Sequence, residues 1–62
     1  MSDFTEADKL KCAQREVTYR RRVYGRLVEQ GKMSSAQASR EIALMEAIRD
    51  DYEKIVHGER LI

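Results

Sequence analysis

Gly31-Lys32-Met33-Ser34-Ser35-Ala36-Gln37 is the one stretch of this chain in which a helix-stop signal meets a helix-start signal. Gly31 can take the left-handed backbone that terminates a helix at little steric cost. Ser34, with Gln37 three residues on, has the form of a capping box, in which the hydroxyl accepts an orphan N–H of the next helix. The residues on both sides read as helix. The stretch therefore predicts a single turn joining two helices.

Upstream, Leu10, Ala13, Val17, Tyr24, Leu27 and Val28 recur at three- and four-residue steps, the period of a helix with one apolar face. Asp3 or Thr5 is placed to cap its start, with Phe4 at or just outside the cap. Gly25 costs about 1 kcal/mol relative to Ala in a helix interior, and the reading runs the helix through it. Downstream, Ala38, Ile42, Met45, Ile48, Tyr52, Ile55 and Val56 form a second inward stripe. Gly58 is expected to stop that helix, with His57 in its last turn and Glu59 to Ile62 as a short tail. The fold class is all-α: a single antiparallel two-helix hairpin domain over 1–62, with helices over about 5–30 and 35–57 and a turn at 31–34.

A chain of 62 residues hides only about 60% of the surface its unfolded form exposes, so the core of one hairpin is thin. Disulfides, a metal or a further chain are the usual remedies. One cysteine, Cys12, and one histidine, His57, lie far apart in sequence and make no metal spacing. The reading is a free thiol in a reducing cytoplasm, no metal and no cofactor, with the fold completed by self-association. Cys12, Tyr19 and Val23 cluster on the side of the first helix opposite Leu10. They are the expected homodimer interface, giving a four-helix arrangement.

Lys and Arg number 12 against 11 Asp and Glu, so the total charge gives no general pull toward nucleic acid. The distribution is uneven. Lys9, Lys11, Arg15, Arg20, Arg21, Arg22 and Arg26 face a single Glu16 between positions 9 and 26. Three adjacent arginines are splayed by about 100° each on a helix. Arg21 falls within the apolar stripe, with Glu41 or Glu46 as its expected partner, and Arg49 of the second helix is expected to pair with Glu16. Arg15, Tyr19, Arg22, Val23 and Arg26 make up the expected partner-binding surface. Lys11, Arg15, Arg22 and Arg26 are also the residues that would meet phosphates, the alternative reading, although no helix-turn-helix or zinc-module spacing accompanies them.

Catalysis finds little footing. No serine or cysteine stands at a helical step from His57 to form a nucleophile pair, Asp50, Asp51 and Glu53 are adjacent rather than convergent, and Gly31-Lys32 lacks the companions of a phosphate loop. No apolar run approaches the roughly 18 residues that span a bilayer, and Met1-Ser2-Asp3-Phe4 does not open a signal peptide. The expectation is a non-enzymatic cytoplasmic protein.

Arg15-Glu16, then Arg21-Arg22-Val23-Tyr24, the turn Gly31-Lys32-Met33, and the run Arg40-Glu41-Ile42-Ala43-Leu44-Met45-Glu46-Ala47-Ile48 form the pattern RE-x4-RRVY, GKM, REIA-x-ME-x-I. Over about residues 10 to 52 this resembles a group of small helical accessory proteins encoded by phages and prophages. Many of those have proline after the tyrosine, where this chain has Gly25. The group brings no established activity. The resemblance implies an interaction protein that modifies or blocks a host or phage machine in a bacterial cytoplasm, host takeover and counter-defence included; a structural spacer within a phage particle is a further reading.

Overall fold

The structure, a computed structural model, describes residues 3–60, with side chains as far as Gly58. It is an all-α hairpin of two helices, α1 (Glu6–Glu29) and α2 (Ser35–Arg60), that pack against each other in an elongated body of 47 × 21 × 17 Å.

The start of α1 follows from its sequence. Thr5 is the N-cap in extended backbone; its Oγ1 accepts the Asp8 N–H at 3.0 Å and Asp8 Oδ2 accepts the Thr5 N–H at 3.2 Å. This reciprocal pair satisfies two donors that a bare helix end leaves open. The expected choice between Asp3 and Thr5 thus resolves to Thr5, with Phe4 just outside the cap. Helix α1 continues through Gly25, where an added Cβ would meet nothing within 4 Å.

The end of α1 is a Schellman motif. Gly31 has φ 72°, its N–H donates to the Val28 carbonyl at 3.0 Å, and the Lys32 N–H donates to the Leu27 carbonyl at 2.8 Å. Both bonds need the left-handed residue between them. Ser34 Oγ then accepts the Gln37 N–H at 3.0 Å, and α2 begins. Five residues, 30–34, reverse the chain.

The buried apolar side chains are Leu10, Ala13 and Val17 of α1 with Ala38 and Val56 of α2. Tyr24, Leu27, Val28, Ile42, Met45 and Tyr52 are half-buried around them. Two members of the expected inward stripe are not in it. Ile48 and Ile55 are 38% and 45% exposed, as Leu44 is at 50%. At 100° per residue Ile48 and Ile55 lie about 80–100° around the helix from Ala38 and Val56, and a single neighbouring helix does not reach that far.

The far end of α2 also differs from expectation. The helix runs on to Arg60, and Gly58 does not end it. Gly31 is the only described glycine with positive φ, so Gly58 keeps the right-handed backbone, at a cost of about 1 kcal/mol relative to Ala. His57 remains in the last turn, and Glu59 and Arg60 are helix rather than tail. Leu61 and Ile62 lie outside the described residues.

Candidate functional site

Burial and pairing divide the charged residues into two groups. The first group lies along the seam between the helices. Arg20 Nε donates to Glu16 Oε1 at 2.9 Å, one helical turn back, and its Nη1 donates to the Glu41 carbonyl of α2 at 2.9 Å. The Glu16 hydrogen bond raises the Arg20 guanidinium above its ordinary pKa, against a smaller lowering by burial. Its charge is therefore fixed at every accessible pH. Arg21 pairs with Glu46 across the seam, one of its two expected partners, and its side chain is 57% exposed rather than buried. Lys9 bonds Glu6 at 3.7 Å and lies over the Tyr52 ring at 5.8 Å.

Arg49 departs from expectation. Its Nε and Nη2 both donate to Asp50 Oδ1, at 3.0 and 2.9 Å, and not to Glu16. Glu16 is already engaged by Arg20, which sits at the favourable i,i+4 step on the same helix. A local partner wins over one that the tertiary fold must bring up.

The second group stands on the outer face of α1. Lys11, Arg15, Arg22 and Arg26 are all exposed, and among the described residues none of them enters an ion pair or hydrogen bond. Tyr19 lies among them, 49% exposed. Shallow grooves run along this face. One is lined by Gln14, Arg15, Thr18, Tyr19 and Arg22, and another by Phe4, Asp8, Lys9, Cys12 and Arg15. From Arg15 to Arg26 the helix advances about 16 Å, so the three arginines and Tyr19 form a stripe along one helix face.

Of the residues expected to bind a partner, Arg15, Tyr19, Arg22 and Arg26 are brought together on this exposed face. Val23 is half-buried and sits at its edge. Cys12 is an exposed free thiol one turn below Arg15 and two turns below Tyr19. Cys12, Tyr19 and Val23 do share a side of α1, as their spacing dictates. Larger exposed apolar side chains, however, lie elsewhere, on Leu44, Ile48 and Ile55 of α2, two of them members of the expected inward stripe.

The groove near the end of α2, lined by Asp50, Glu53, Lys54, His57 and Gly58, gathers no set of converging ligands. Among the described residues no three His, Cys, Asp or Glu side chains could hold a metal ion together. Among the same residues no helix is long and apolar enough to cross a membrane.

Comparison with protein-family models, with curated proteins and with solved structures finds no match for this chain.

Proposed function

We propose that this hairpin is a non-enzymatic accessory protein that works by binding an acidic surface on another protein through the outer face of α1. The observation that carries the reading is the stripe Lys11, Arg15, Arg22 and Arg26, exposed and unpaired, with half-exposed Tyr19 among them. Arginine and tyrosine are the side chains that most often anchor protein interfaces, because each combines a large contact area with directional donors. Unpaired cations give up only water and side-chain freedom on docking, whereas Arg20 and Arg21 would also have to break bonds they already make.

The resemblance to phage and prophage accessory proteins supplies the setting: the cytoplasm of an infected or lysogenic bacterium. A host factor or a defence system is the class of target it implies. A second reading, nucleic-acid binding, draws on the same four cations, since Tyr19 could stack on a base while the arginines meet phosphates.

The test is capture from nuclease-treated bacterial extract, comparing the natural chain with Arg15→Glu/Arg22→Glu. The reading expects one target protein retained by the natural chain and lost by the variant. Retention that vanishes on nuclease treatment, with a steep fall in DNA or RNA binding as salt rises, would give the surface to nucleic acid. Equal capture by both chains would sink the proposal.

A further inference from the structure

The exposed apolar row of α2 is not isolated. Arg20 Nη1 bonds the Glu41 carbonyl and Lys9 lies over Tyr52, so the flank of α1 that carries Lys9 and Arg20 adjoins the flank of α2 that carries Glu41 and Tyr52. Steps of three, four and seven residues keep a helical flank in line. Val23 and Leu27 therefore continue the α1 flank beyond Arg20, and Leu44, Ile48 and Ile55 lie along the α2 flank with Tyr52. Half-buried Val23, Leu27 and Tyr52 and exposed Leu44, Ile48 and Ile55 occupy one side of the hairpin.

We infer that this mixed side is covered by a second copy of the chain, making a four-helix dimer, and that the outer face of α1 stays outside the interface. The inference stands apart from the function proposed above and needs no target. Area is its first argument. One entire long side of a body 47 × 21 × 17 Å offers on the order of 1,000 Å², so the ~800 Å² each partner contributes to a standard interface takes up most of that side, beyond the apolar row itself. A second hairpin matches that length by construction.

Charge is the second argument. Along the α1 flank Lys9 pairs with Glu6 and Arg20 with Glu16, and the α2 flank adds the Glu41 and Asp51 carboxylates, so this side carries two unpaired charges against the four cations of the outer face of α1. On the outer face of α1 a second copy would set four unpaired cations against four more, which opposes association. Symmetry brings the same patch to itself in a two-fold dimer, and the side with fewer unpaired charges tolerates that better. Asp51 interrupts the row between Ile48 and Ile55 and is exposed; it belongs at the rim of the interface or weakens it.

The single cysteine makes the test direct. Cys12 is exposed and lies about 20° around α1 from Val23, so it is replaced before a cysteine is placed on the mixed side. Cys12→Ser combined with Ile48→Cys, or with Leu44→Cys, should give a covalent two-chain product with a flexible bis-maleimide. Asp51→Leu should tighten self-association by at least about tenfold. A helical single-chain species at all concentrations, or no product from either engineered thiol, would overturn the inference.

Discussion

Arg20, Arg21 and Arg22 are consecutive, yet they belong to two regions of the molecule. Arg20 and Arg21 reach the seam, where Glu16, the Glu41 carbonyl and Glu46 receive them. Arg22 points away and joins Arg15 and Arg26, none of which has a partner among the described residues. The residue type is constant and the environment changes by about 100° per step. Function is therefore sought where the helix has left its cations unused, and stability where it has used them.

The largest effects are expected at the seam. Val17 is 2% exposed, so Val17→Asp buries a carboxylate in the seam, where the neighbouring Arg20 and Arg21 are already committed to Glu16 and Glu46. It should cost at least about 3 kcal/mol and abolish the cooperative thermal transition followed by circular dichroism. Thr18→Asp, one residue on but exposed, should stay within about 0.5 kcal/mol. Equal losses would mean that the seam is not where the chain is held together.

Next in size are the glycines. Gly31→Ala forces a Cβ into the left-handed backbone of the turn and should destabilise by about 1–2 kcal/mol. Gly25→Ala meets open space inside a helix and should stabilise by about 0.5–1 kcal/mol. Chemical denaturation at fixed protein concentration reads both, and the opposite signs are the point. A stabilising Gly31→Ala would contradict the Schellman turn.

Smaller again is Arg20→Ala, which removes a half-buried ion pair and the donor to Glu41 O; about 1 kcal/mol is expected. Arg21→Ala, at a pair more than half exposed on the arginine side, should cost no more than about 0.5 kcal/mol, less in high salt. Arg15→Glu/Arg22→Glu should leave the melting temperature nearly unchanged while removing target capture. Stability loss in that double variant equal to that of Arg20→Ala would erase the distinction between the two regions.

Much of the fold was legible because its signals are local. A capping threonine, a left-handed glycine and the Ser34 cap are each decided within four residues; the first two take their expected roles, and at the third Ser34 Oγ accepts the Gln37 N–H without the return bond from the Gln37 side chain that a full capping box has. The surfaces were less legible for a physical reason. Ile48 and Ile55 sit on the edge of an apolar arc wider than one helix covers, and periodicity alone does not say which edge stays wet. The Arg49 partner was misread because Arg20 competes for Glu16 at shorter range. Gly58 was read as a stop because glycine permits the left-handed backbone, but permission does not compel it.

The mixed side of the hairpin is proposed to close on a second copy while the cationic face of α1 stays free. Solution mass by light-scattering chromatography, at low and at high salt, tests this closure most directly. An interface built from Leu44, Ile48, Ile55 and their half-buried neighbours predicts a two-chain mass that persists as salt rises, because apolar burial is not screened. A folded single chain, or a dimer that dissolves as salt rises, would contradict the account.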